Sequence, residues 1–288
     1  MNVTPVTPGD VDRYLRRLGV APGPPSLEQL AAIHRAQVER IPYETTWIHL
    51  GEAWTVDPGA ALLRILDRQR GGYCFHLNGA LGALLRGLGY DVTTHAARVQ
   101  GAPDRPPGPA GDHAALVVRG VDDATWLVDA GLGDGLHEPL PLQPGRYRQG
   151  PYTFTIAHDD DGDVWHLRHD PRGSFAGISF GPPPADATAV FAARHAHLST
   201  SPDSGFVRAV TVQRRHAGGA DILRALTLTH TTVDGDTRQV VDDRADWFAV
   251  LADGFGLHLA DAGDAARERL WVHANAAHAA HLAATPLG

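Results

Sequence analysis

The chain contains no lysine: all 25 residues in its Lys+Arg total are arginine. Without a lysine amine, Schiff-base catalysis and Walker-type phosphate cradling are excluded. Cysteine occurs once, at Cys74, so no internal disulfide can form and the fold needs no oxidising compartment. Positive charge is scarce too. The formal net charge is −8, which argues against nucleic acid as a partner, because phosphates need a basic surface. No apolar run approaches the ~20 residues of a membrane span. The opening MNVTPVTPGDVDRYL has neither the basic n-region nor the apolar h-region of a secretory signal. The expectation is a cytoplasmic protein with neither a membrane nor a nucleic-acid partner.

A hydrophobic content of 43% with 20% charged residues describes a globular chain with a real core, and 288 residues suggest about two domains or three small ones. The first ninety residues read as helices. Ser26 and Gln29 form a capping box for a helix that ends near Pro42, with Leu27, Leu30, Ile33 and Val38 as its approximate stripe. Asp57-Pro58 pairs an N-cap with an N1 proline ahead of Leu62, Leu63, Ile65 and Leu66. A third helix begins near Cys74, carries Leu77, Leu81, Leu84, Leu85 and Leu88, and ends at Gly87 or Gly89. Beyond it, DVTTHAARVQ, HAALVVRG, TWLVDAG, YTFTIAH and DVWHLRH are short, β-rich and separated by turn residues. They read as antiparallel sheet. GPPPADATAV (181–190) reads as a linker. FVRAVTVQRR and ILRALTLTHTTV then read as strands, and DRADWFAVLADGFG and AARERLWVHANAAHAAHLA as helices.

Cys74 sits in RQRGGYCFHLNGAL, after two glycines and at an expected helix start. The glycines permit positive φ and leave room for a substrate. Only a few per cent of a free thiol with pKa about 8.5 is ionised at pH 7. Helix-terminal dipoles and a nearby imidazolium favour the thiolate. A buried, inert core cysteine fits the same spacing. His113 opens the strand HAALVV after the Pro/Gly loop 101–112, and Asp129 closes the strand TWLVDAG. A hairpin across RGVDDA places the two side by side. Asp129 would then hold Nδ1–H of His113 and leave Nε2 facing the sulfur. The order Cys, His, Asp is that of papain-like and transglutaminase-like enzymes.

RGGYCFHLN resembles the nucleophile motif of the arylamine N-acetyltransferase family, Arg-Gly-Gly-x-Cys-x-Glu-x-Asn. DHAALVV resembles its histidine strand and WLVDAGLGDG its aspartate strand, with YLRRLGV, LEQLAAIHRAQVERIPYE, HLSTSPDSGFVRAVTVQRR, LTLTH and LADGFGLHL following in family order. The resemblance implies an α+β protein with a papain/transglutaminase-like core. A helical N-terminal domain (1–89) would carry Cys74, an antiparallel β-barrel (90–190) His113 and Asp129, and an α/β domain (191–288) would form a lid. It implies ping-pong transfer of an acyl group, acetyl first, from a coenzyme A thioester through acyl-Cys74 to an aromatic amine, hydrazine or N-hydroxyarylamine. No bound cofactor is implied; acetyl-CoA or another acyl-CoA is the donor substrate. The Cys74 backbone N–H is one oxyanion donor, and the second is not assigned. A lid and an apolar cleft would keep water from the acyl-enzyme.

The chain departs from the family pattern at three places. His76 replaces the glutamate, which predicts an altered pH dependence and a changed hydrogen-bond network near Asp129 or His113. Thr45, in IPYETTW, replaces an asparagine. Leu132 replaces an aromatic residue between two glycines, which makes room for a larger acyl group or acceptor unless the core repacks. Tyr43, His76, Leu132 and Gly133 are the candidate substrate contacts. Two alternatives stand beside acetyl transfer. One is an amide synthase or acyltransferase of secondary metabolism using a larger acyl group, with an acyl carrier protein as partner. The other is a cysteine hydrolase or transglutaminase-like enzyme. A silent binding protein is a third possibility. Ser199, Thr200, Ser201 and Arg214 are candidate coenzyme contacts, although a helix cap or turn and a solvated strand face are the favoured explanation of them. His195 with His197, and His278 with His281, lack a third partner, so no metal site is expected.

Overall fold

The computed structural model describes residues 4–108, 110–159, 161 and 163–284. Five helices open the chain: α1 (Pro8–Leu18), α2 (Leu27–Arg40), α3 (Thr46–Leu50), α4 (Pro58–Arg68) and α5 (Cys74–Gly87). The starts of α1, α2 and α4 follow from side-chain caps. Ser26 Oγ accepts the Gln29 N–H at 3.1 Å, but the Gln29 amide donates to the Ala21 carbonyl, so only half of the expected box forms. Asp57 caps α4 by accepting the Ala60 N–H at 2.7 Å, with Pro58 next in line. Helix α5 starts at Cys74, and Gly89 (φ 89°) turns the chain away after its end. Cys74, Leu77, Ala80, Leu81, Leu84 and Leu85 are all buried, which makes α5 the central helix of the first core.

The middle of the chain is a nearly closed antiparallel barrel. Its strands are β2 (Asp91–Gln100), β3 (His113–Val121), β4 (Ala124–Val128), β5 (Leu140–Pro141), β6 (Gly145–Gln149), β7 (Tyr152–Asp159), β8 (Val164–Arg168) and β9 (Gly177–Phe180), in the order β5-β4-β3-β2-β9-β8-β7-β6. Alternation along β3 joins the barrel to the helices. Ala114, Leu116 and Val118 pack into the helical core, whereas Ala115 and Val117 point into the barrel.

The third region departs most from expectation. Helix α6 (Ala187–Thr200) starts inside the expected linker, and its Phe191 belongs to the first core. The expected strand FVRAVTVQRR begins as a helical turn, α7 (Gly205–Arg208), because Ser204 caps it, and pairing starts only at β10 (Thr211–His216). The segment ILRALTLTHTTV is split by a turn at Ala225 (φ 51°) between β11 (Gly219–Arg224) and β12 (Thr227–Thr232). With β13 (Gly235–Val240) they form a five-stranded sheet whose outer strand is β1 (Tyr43–Glu44), delivered from the helical region with Tyr43 opposite Gln213. Helix α8 (Arg244–Ala249), running on into a π-helical turn, and α9 (Asp264–Ala284) bury Trp247, Leu251 and Leu270 against this sheet. Among the described residues, no helix is long and apolar enough to cross a membrane.

Candidate active site

Cys74 is the first residue of α5 and is 4% exposed. Antiparallel pairing of β3 with β4 (Leu116 opposite Val128) brings the start of one strand to the end of the other, so His113 meets Asp129. His113 Nε2–H donates to Asp129 Oδ2 at 2.6 Å. This corrects the expected ring orientation. Asp129 holds Nε2, which leaves Nδ1 as the ring nitrogen available to the sulfur of Cys74. The Cys74 thiol also lies 3.8 Å from the Asp112 carbonyl. Burial disfavours charge on His113, but the Asp129 carboxylate, its hydrogen bond and the sulfur outweigh it and push the imidazole up to about 10. These contacts favour the charged ring, an imidazolium, beside the thiol.

Asp129 is itself fixed on every side. Its Oδ1 accepts from Asn78 Nδ2 at 2.7 Å and from the Gly131 N–H at 2.9 Å. Asn78 also donates to the Ala114 carbonyl and accepts the Ala130 N–H, so a residue one turn along α5 from Cys74 ties the base strand to the acid loop. The Asp129 N–H donates to Nε2 of His34, whose Nδ1–H donates to the His137 carbonyl. Burial holds His34 below its ordinary range, in keeping with this neutral ring. Sequence reasoning assigned no role to Asn78 or His34. The available signal for Asn78 was its match to the closing asparagine of the family's nucleophile motif.

The tandem glycines serve packing rather than substrate space. A Cβ on Gly71 would meet the Pro42 carbonyl oxygen at 2.1 Å, and Gly72 has φ 82° with His76 filling the place of its side chain. Gly131 is the glycine that lies against the nucleophile, since a Cβ there would sit 2.7 Å from Cys74 Cα. His76 turns away from His113 and Asp129, contrary to expectation. It lies fully buried among the rings of Trp47, Trp54, Tyr73 and His195, and its Nδ1 accepts the N–H of Tyr73 at 3.3 Å. Burial first, then Arg64 and His195, hold it well below 6.5, so it is a neutral acceptor for the helix start. Arg70 is 1% exposed and pairs with Glu44 and Glu52, while Thr46 bridges Arg70 and Glu44. Thr45 accepts the Thr211 N–H at 2.9 Å, which ties β1 to the third region.

Tyr43 is buried beside Cys74. Burial first, and then the sulfur, push its phenol well above 10, with Arg224 opposing. Gly133 (φ 66°) closes on Gln213, the cross-strand partner of Tyr43, while Leu132 packs into the barrel core. Arg224 in turn lines a cavity of about 690 Å³ with Arg172, Arg208, Arg238 and alternate threonines of β12 (Thr227, Thr229, Thr231). Among the described residues, Arg208 and Arg238 have no carboxylate partner, whereas Arg172 pairs with Asp170 and Asp236. The candidate coenzyme residues lie elsewhere. Ser199 and Thr200 donate back to helix carbonyls of His195 and Ala196, Ser201 caps a turn, and Arg214 pairs with Asp221.

A family model for N-acetyltransferases matches residues 26–264, which places the chain among acyltransferases. An arylamine N-acetyltransferase of Mycolicibacterium smegmatis is 33% identical over 212 residues, spanning 70% of this chain and 75% of that protein. Proansamycin X synthase of Amycolatopsis mediterranei is 32% identical over 158 residues, spanning 53% of this chain and 60% of that one. The Mycobacterium marinum arylamine N-acetyltransferase, solved in complex with CoA, superposes with a TM-score of 0.83 at 26% identity, covering 93% of this chain and 99% of that structure. The chain belongs to the arylamine N-acetyltransferase family.

Proposed function

We propose that the protein transfers an acetyl group from acetyl-CoA through an acyl-Cys74 to an aromatic amine, hydrazine or N-hydroxyarylamine. The observation that carries this reading is the buried chain from Cys74 through His113 to Asp129, with its 2.6 Å hydrogen bond at the mouth of α5. The Cys74 thiolate attacks the thioester carbonyl and forms a new C–S bond. The oxyanion is met by the backbone N–H of Cys74, the first residue of the helix. As the C–S bond to coenzyme A breaks, the departing thiolate takes the proton from His113. The acceptor nitrogen then attacks the acyl-Cys74 carbonyl, His113 takes a proton from that nitrogen, and Cys74 leaves as thiolate. Asp129 keeps the imidazole oriented through both halves.

The donor nucleotide has a natural seat in the arginine cavity. Its phosphates are anionic, the chain as a whole is at −8, and Arg208, Arg224 and Arg238 concentrate positive charge in one cavity whose Arg224 also acts on Tyr43. The CoA held by the Mycobacterium marinum relative supports the same donor class. Intact mass after mixing with acetyl-CoA tests the proposal. An acetyl adduct on Cys74, stable in buffer and discharged by an aromatic amine, is expected. Rapid discharge by water makes the protein a hydrolase, and no adduct with any thioester makes it a binder. A panel of longer acyl-CoA donors tests the amide-synthase reading that the likeness to Proansamycin X synthase favours.

A further inference from the structure

The nucleophile and its base stand on different elements: Cys74 on α5 of the helical core, His113 on β3 after the loop 101–112. Asn78 joins the two elements from within, through the Ala114 carbonyl and Asp129, and one helix touches the neighbours of both from outside. We propose that α6 sets the distance between Cys74 and His113, with Arg194 and His195 as positioning residues. The inference rests on reading Cys74 and His113 as nucleophile and base.

Arg194 reaches the base. Its Nε donates to Asp112 Oδ1 at 2.7 Å, Nη2 bonds the same oxygen, and Asp112 directly precedes His113. Both partners are mostly shielded, at 24% and 15% exposure, so the pair is not a freely solvated surface bridge. Gly111 lies tight against α6: a Cβ there would meet Val190 Cγ1 at 2.5 Å and Arg194 Cγ at 3.4 Å. His195 reaches the nucleophile. Its Nδ1 accepts the Tyr73 hydroxyl at 2.6 Å, and its Nε2–H donates to the Trp54 carbonyl at 2.7 Å. The ring also stacks on Trp47, 5.5 Å away and 9° from parallel. One turn earlier, Phe191 packs on Phe75 with ring centroids 5.1 Å apart.

Residues 73 and 75, which flank the nucleophile, are thus held by residues 195 and 191. Adjacent positions on a helix diverge by about 100°, which lets Arg194 and His195 grip two walls at once. The protonation states agree with the geometry. Burial raises the Tyr73 phenol and keeps it a donor, and burial lowers His195 and keeps Nδ1 an acceptor.

The test measures Cys74 alkylation by iodoacetamide across pH, acylation by acetyl-CoA, and thermal midpoint. The variants are Arg194→Ala, Arg194→Lys, His195→Phe and His195→Asn, with the exposed His197→Ala as control. Displacing reacting groups by about 1 Å costs up to about 100-fold. Arg194→Ala and His195→Phe are each expected to slow alkylation and acylation roughly tenfold and to move the alkylation pH profile upward. The KM for the amine stays unchanged. Lys at 194 and Asn at 195, which keep a cation and an acceptor, restore most of the rate. The idea is overturned if alkylation and its pH profile are unchanged in both truncations, or if the conservative variants are as slow as the truncations at equal thermal midpoint. Should His195→Phe not fold, the Asn variant and the Arg194 pair decide alone. A parent protein that is alkylated normally but takes no acetyl from acetyl-CoA refutes the proposed function and leaves this inference testable by alkylation.

Discussion

Gly131→Ala offers a sharp steric test of how closely the acid loop is fitted to the nucleophile. A Cβ at this position would lie 2.7 Å from Cys74 Cα, 2.8 Å from Asn78 Nδ2 and 3.0 Å from Cys74 Cβ. Ordinary contact begins at 3.4 Å, so the methyl is roughly 0.7 Å too close to a backbone atom that cannot rotate away. Either the turn after β4 or the first turn of α5 must move. If the turn moves, the Gly131 N–H leaves Asp129 Oδ1, now 2.9 Å away, and the carboxylate loses one of the donors that aim it at His113. Overpacking of this kind costs about 1–3 kcal/mol. A displacement approaching 1 Å between reacting groups slows reaction by up to about 100-fold. The expected result is a ten- to hundredfold slower appearance of acetyl-Cys74 (roughly, from those two figures), read by rapid quench and intact mass. The thermal midpoint falls by several degrees, at about 2–4 °C per kcal/mol for a chain of this size class. Gly101→Ala is the control, because nothing lies within 4 Å of its Cβ position. An acylation rate within about threefold of the parent would refute the reasoning that the loop is packed to the limit against Cys74.

Four further outcomes follow from the same geometry. Asp129→Asn removes the charge that makes His113 an imidazolium and is expected to cut acylation by about 10³–10⁴-fold with little change in fold, measured by single-turnover mass and circular dichroism. The His113 value of about 10 lies above its ordinary 6.5, so its contribution to stability is present in full below about 6.5 and lost as pH rises through about 10; His34, His76 and His195 are depressed, so theirs is present above 6.5 and lost as pH falls, and the thermal midpoint should decline on both sides. Because His76 touches neither His113 nor Asp129, His76→Glu should lower the thermal midpoint while leaving the alkaline limb of the pH–rate profile in place; a moved limb would contradict this. Arg238→Ala should raise the KM for acetyl-CoA roughly tenfold, the scale of one charged hydrogen bond, and leave turnover of an acetyl thioester lacking the nucleotide unchanged.

The elements that bear the site were legible because their signals are local. Proline after Asp57, an apolar stripe along α5 and the short apolar run that fills β3 each act within a few residues, and their boundaries fell where those signals stop. Helix α6 was not legible. It follows three prolines, and only Phe191 along it is fully buried, so its apolar periodicity is faint and its start reads as linker. β1 was hidden for another reason: its two residues are a strand only because β10 arrives from far along the chain to pair with them. The choice of ring nitrogen at His113 was also beyond reach. A sequence states which side chains meet, whereas the nitrogen that meets the carboxylate depends on the angle at which the ring leaves β3.

The replacement of glutamate by His76 shows what kind of information the family pattern carries. Read as a charge, it looks like the loss of a carboxylate two residues from the nucleophile, with consequences for the pH dependence of the reaction. Read as a hydrogen-bond acceptor, little is lost, because Nδ1 takes the Tyr73 N–H as the N3 side chain of a capped helix does. The acceptor works only if the ring stays neutral, and the cluster of Trp47, Trp54, Tyr73 and His195 ensures that by burial. A buried anion among those rings would need a partner, and the arginine whose charge bears on this position is Arg64, stacked on Trp54 at 3.9 Å. The substitution is therefore matched to its aromatic surroundings. It leaves the electrostatics at Cys74 to two features of the other wall: the imidazolium of His113 and the open end of α5.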